Sequence, residues 1–130
     1  MRINDKNNNL LAQIIRFKEI KKDKNFVTSN DDELQLGSFN LSKGTEIKRH
    51  IHPNQKREIN ITTEVIVVIS GEIQVDLYDN DYDFVKSVNV FEGDAISLVG
   101  GGHGLTVKKN TKFIEVKQGP YTDTEDKIRF

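Results

Sequence analysis

The chain contains no cysteine and no tryptophan, and only one methionine and two prolines among its 130 residues. Without cysteine there is no disulfide, no thiol nucleophile and no thiolate metal site, so any bound metal has to be held by nitrogen and oxygen. Neither charge sign predominates: 19 Lys and Arg stand against 20 Asp and Glu, for a formal charge of -1. Such a balance leaves no basic stripe to neutralise a phosphate backbone, which argues against nucleic-acid binding. No apolar run approaches the ~20 residues of a membrane span, and the polar start MRINDKNNN lacks the apolar stretch of a secretory signal. These absences predict a cytoplasmic protein. The length predicts one domain, with a core at about 34–117, a flanking strand and connector at 1–33 and a tail at 118–130.

What is present is a succession of short segments of period two, punctuated by Gly, Asn and Asp, the pattern of an antiparallel all-β sandwich or barrel. Strands are expected at 34–41, 45–52, 62–69, 73–78, 84–90, 95–99, 105–108 and 113–117. Residues 10–17 (LLAQIIRF) read as a strand or a helical turn, KEIKKDKN as a solvated connector, and the asparagine-rich start as a tail or an edge strand. Reversals are expected at Ser70-Gly71, Tyr78 to Asp81, Phe91 to Asp94 and Lys109 to Thr111, the first and last of them as tight hairpins. A small closed barrel accommodates eight such strands, hides its edges and offers a cavity for one small ligand.

Chemistry concentrates on the three histidines. His50 and His52 share a face if their segment is a strand, forming either a pincer directed inward or an exposed strand end before Pro53. Two imidazoles at that spacing suit a divalent first-row metal. Glu64 opens the apolar run EVIVVIS, where a carboxylate is costly to bury unless it is paired or metal-bound. His103 lies in VGGGHGL, whose glycines permit a sharp turn and close backbone approach. Lys48 shares the parity of His50 and reads either as an attractor of anionic substrate or as a mouth residue open to water; Arg57 divides the same way. In FIEVKQGPY, Glu115 and Lys117 share one face, and Ile114, Val116 and Gln118 the other. Assigning the apolar face to the core makes Gln118 a candidate polar group of the cavity. Tyr121 is a candidate for the rim. No Ser sits at a motif spacing from a His, and the glycine run precedes a strand instead of a helix, which makes it a poor phosphate cradle.

These residues resemble the two motifs of the cupin superfamily. Gly44, five residues, His50-x-His52, and Glu64, six residues, Gly71 match the outer spacings of the first; Gly93, five residues, Val99-x-Gly101 and His103 follow the second. Two departures stand out. Eleven residues separate His52 from Glu64, where three or four are usual, and Glu58 is a rival ligand at nearly the usual distance; Glu64 is preferred because it keeps the step to Gly71 and begins a strand. His103 falls one residue early, and Val99 replaces the usual Pro.

The resemblance implies a cupin-type antiparallel β-barrel (double-stranded β-helix, jelly roll). It implies one divalent transition-metal ion (Fe, Mn, Ni, Co or Zn) held by His50, His52, Glu64 and His103, with open positions for water or substrate. Similarity to small single-domain cupins of the mannose-6-phosphate isomerase-like kind implies a metal-dependent isomerase or epimerase of a sugar derivative, with Glu64 catalytic and Lys48, Arg57 and Gln118 against the substrate. The alternatives are an iron-dependent dioxygenase and a non-catalytic barrel that binds a small ligand. Small cupins commonly pair, which implies a homodimer with residues 10–17 as the exchanged or packed element.

Overall fold

The computed structural model describes residues 1–121 and 127–130. Ten strands follow in chain order: β1 (Arg2–Asn4), β2 (Leu10–Ile15), β3 (Asp23–Phe26), β4 (Gly37–Asn40), β5 (Glu64–Ser70), β6 (Glu72–Tyr78), β7 (Phe84–Phe91), β8 (Ala95–Leu98), β9 (Gly102–Val107) and β10 (Lys112–Lys117). Helical structure among the described residues is one 3-10 turn, Phe17–Glu19, and no helix there is long and apolar enough to cross a membrane.

The strands form a five-stranded sheet β1-β2-β8-β5-β10, a three-stranded sheet β7-β6-β9 and a two-stranded ribbon β3-β4, all with antiparallel pairs. The two larger sheets pack face to face, with β2 meeting β6 and β5 meeting β7. Alternation explains the core. Ile66 and Val68 of β5, Ile73, Val75 and Leu77 of β6, Val88 and Val90 of β7, and Ile96 and Leu98 of β8 occupy every second position and form one buried cluster with Ala12 and Ile14. Each such large side chain contributes about 1.5–3 kcal/mol on burial, which is what opposes the chain entropy lost in ordering the strands.

Three reversals expected at the ends of strands have a different role from a hairpin. The β5–β6, β7–β8 and β9–β10 connections each join strands of different sheets, while Asp79 to Asp83 joins the paired strands β6 and β7. Turn chemistry specifies that the chain reverses, and tertiary packing decides whether the next strand pairs with the last or crosses to the opposite sheet. At the β5–β6 corner Gly71 has φ +90° and its α-carbon abuts Asn110 and Thr111, while the Thr111 hydroxyl accepts the Glu72 N–H at 3.0 Å. The β5–β6 and β9–β10 corners therefore interlock.

Three expectations need correction. Residues 45–52 form no strand: 41–62 are exposed throughout and, apart from a turn at 43–44 and a bend at Ile61, carry no assigned structure. Only Ile47 and Ile51 in the 45–52 stretch are large apolar residues, with polar groups on both faces, so alternation supplies little burial to hold a register. The expected connector instead contains β3, whose partner β4 is all that forms of the strand expected at 34–41. Residues 10–15 form β2, paired on both edges with β1 and β8.

β9 and β10 lie at the edges of their sheets. Pairing with β6 sets His103, Leu105 and Val107 on the inner side of β9, and pairing with β5 sets Phe113, Glu115 and Lys117 on the inner side of β10. Leu105, Val107 and Phe113 remain 40%, 60% and 40% exposed, so the sandwich is open between these two strands.

Candidate functional site

Glu64 is the first residue of β5 and continues the inward parity of Ile66 and Val68, which buries it to 7% exposure. A carboxylate so placed needs a partner. His103 supplies it from the inner side of β9, with Nε2 3.0 Å from Glu64 Oε2. Lys117, opposite Glu64 in the β5–β10 register, places Nζ 3.9 Å from the other carboxylate oxygen. The His103 hydrogen bond holds the Glu64 carboxyl below its ordinary 4.5; burial opposes the shift, and the charges of His103, Lys127 and Lys117 reinforce it. Glu64 and His103 line an open cavity of about 830 Å³ with Tyr78, Tyr82 and the segment 127–130.

The depressed value has a direct consequence for stability. A carboxylate that binds its proton more weakly folded than unfolded stabilises the fold above its unfolded pKa, and that contribution disappears as pH falls through the folded value. Glu64→Gln should therefore lose less stability than the wild type when urea titrations at pH 7 are repeated below pH 4.

The glycines before His103 explain its placement. Gly101 has φ +63° and sits against the Tyr78 carbonyl, and Gly100 lies against the Leu10 carbonyl, so the chain turns between two neighbouring strands before entering β9. Side chains at these positions would push His103 away from Glu64.

Of the four expected metal ligands, the fold brings Glu64 and His103 together and leaves His50 and His52 on the exposed segment. Those two rings lie 5.2 Å apart, and His50 Nδ1 is 2.9 Å from the Lys48 carbonyl. Among the described residues, no group of three or more His, Cys, Asp or Glu side chains is placed to hold a metal ion. Lys48, Glu58 and Arg57 lie on the same exposed stretch, where Arg57 donates to Gln55 Oε1 at 3.2 Å. Gln118 accepts the Thr63 N–H at 2.8 Å, so it braces the residue before Glu64 and does not line the cavity. The face assignment on β10 is reversed: Glu115 and Lys117 point to the inner side, while Ile114 and Val116 are outward and about half exposed. Apolar residues do not mark the inner face here because β10 borders the open side of the sandwich. Tyr121 is 58% exposed and does not line the cavity; its ring centroid lies 4.7 Å from Lys117 Nζ.

Sequence reasoning did not find Tyr78, Tyr82, Lys127 or Phe130 as parts of the site. The signal was the apolar finish of an otherwise polar tail, since Phe130 packs on Tyr78 and Tyr82 with ring centroids 5.3 and 4.5 Å apart. No protein-family model, no curated protein and no solved structure matches the chain.

Proposed function

We propose that this protein is a metal-binding cupin whose site is half assembled in the Glu64–His103 pair. The observation that carries the reading is that these two side chains, far apart in sequence, meet at 3.0 Å in an open cavity. The four connections that cross between the two larger sheets, β5–β6, β7–β8, β8–β9 and β9–β10, also fit a jelly-roll path better than a simple meander. On this reading the exposed segment 45–52 brings His50 and His52 to the pair when the ion binds, completing a nitrogen and oxygen ligand set. Fe, Mn, Ni, Co and Zn all suit such a set.

A bound ion would supply Lewis-acid polarisation of a substrate carbonyl or hydroxyl. The residues of the chain supply the rest. Without an ion Glu64 fixes the His103 imidazole through Nε2 and the pair can hold a proton; with an ion bound both would serve as its ligands, and Lys117 adds positive charge for an oxygen-rich substrate. This chemistry suits isomerisation or epimerisation of a sugar derivative by a cytoplasmic homodimer. A second reading, favoured by the absence of a third assembled ligand among the described residues, is a metal-free cavity that binds a small ligand through the same pair.

Calorimetric titration of chelator-treated protein with Zn2+, Ni2+, Mn2+ and anaerobic Fe2+ tests the proposal. One site is expected, weakened at least about 10–100-fold in each of His50→Ala, His52→Ala, Glu64→Gln and His103→Ala, with slowed amide exchange across 45–52 when the ion is bound. Loss only in the His50 and His52 variants would reduce the site to an exposed histidine pair. Oxygen consumption by the iron form alone would point to a dioxygenase.

A further inference from the structure

We propose that segment 127–130 is a strap that shields one side of the Glu64–His103 cavity and is latched by Phe130. The segment forms one wall of that cavity, and the positive charge of Lys127 acts on Glu64 beneath it. Its latch is an aromatic contact: the Phe130 ring stands edge-on to Tyr78 at 5.3 Å and lies tilted on Tyr82 at 4.5 Å. Phe84 extends the aromatic group by packing edge-on to Tyr78 at 5.9 Å.

The seat under the ring is Gly102. A β-carbon there would approach Phe130 Cζ to 2.7 Å, so the missing side chain at the start of β9 is the space that the ring uses. Gly102 has no positive φ, and its backbone alone would accept alanine. Close seating of Phe130 therefore gives this glycine a role that the turn does not require. The latch is a weak one. Phe130 remains 63% exposed, and two ring contacts without deep burial give a contact that opens readily, as a shield beside a working cavity has to. The strap is independent of what the cavity binds, and its test uses no metal.

Diethyl pyrocarbonate modification, read residue by residue by mass spectrometry, gives a probe with built-in references. His103 lines the cavity that the strap walls on one side, and its side chain is 30% exposed, while His50 and His52 are exposed on a segment that does not line the cavity. The quantity read is the rate at His103 divided by the mean rate at His50 and His52, in chelator-treated protein. Phe130→Ala and Gly102→Ala should each raise this ratio about three- to tenfold, the range that loss of ring contacts of this kind allows, and Phe130→Trp should hold it near the wild-type value. Gly102→Ala keeps Phe130 and removes only its seat, so it separates unlatching from loss of the ring. A ratio unchanged in either alanine variant overturns the proposal.

Discussion

Gly101→Ala will destabilise the protein by about 2–4 kcal/mol, seen as a lower urea midpoint at an unchanged slope, and will separate His103 from Glu64. Two independent costs combine at this position. The backbone has φ +63°, a region in which a β-carbon is strained, and the added carbon would land on the Tyr78 carbonyl and against Leu11 Cδ2. The Tyr78 carbonyl belongs to β6, which pairs with β9 from Tyr78 opposite Gly102 onward, so relief requires shifting that pairing at the end that carries His103. Gly104→Ala, two positions into β9, meets nothing within 4 Å and has no positive φ, and should stay within about 0.5 kcal/mol of the wild type. Equal losses in the two variants would refute the steric account.

Asp94→Ala will have a larger effect, about 3–5 kcal/mol, because it removes the acceptor of several donors at once. The carboxylate is 5% exposed and meets Arg16 Nη1 at 2.6 Å through Oδ2; Oδ1 accepts the Phe17 N–H at 2.9 Å, and Oδ2 also accepts the Phe91 N–H at 3.2 Å. These bonds tie the end of β2 to the corner through which β7 crosses to β8. Truncation would leave the Phe17 and Phe91 amides without this acceptor and take from Arg16 Nη1 its carboxylate partner, leaving its bond to the Asn89 carbonyl at 2.8 Å. Arg16→Ala should cost less, since the carboxylate keeps its two amide donors and the Arg16 side chain is partly exposed. Chemical denaturation at pH 7 of both single variants and the double variant measures the coupling, and a double variant equal to the sum of the singles would contradict a shared network.

The legibility of these features followed their range in sequence. The run 64–70 declares itself as a strand by its continuous apolar residues and 72–78 and 84–91 by alternation, and Gly71, Gly93 and Gly101 each take the positive φ that a turn calls for. Glu64 stood out as a carboxylate at the head of an apolar run and His103 as a base after glycines, and the structure joins them. The partners that do not interrupt a pattern were invisible: Lys117 reached Glu64 through the register of β10, and Phe130 reached Gly102 from the far end of the chain.

The sequence by itself determined an antiparallel all-β chain, the positions of its principal reversals, the parity that fills its core and the chemical limit that any metal here has nitrogen and oxygen ligands. Those properties follow from side-chain alternation, backbone sterics and composition, all of which act over a few residues. Tertiary structure alone decided that the β5–β6, β7–β8 and β9–β10 turns cross between sheets, that β10 presents its charged face to the inside, and that residues 41–62 lie outside both sheets. The physical reason is that a local pattern specifies which side chains share a face, while the partner of that face is chosen by the burial that the whole chain can achieve.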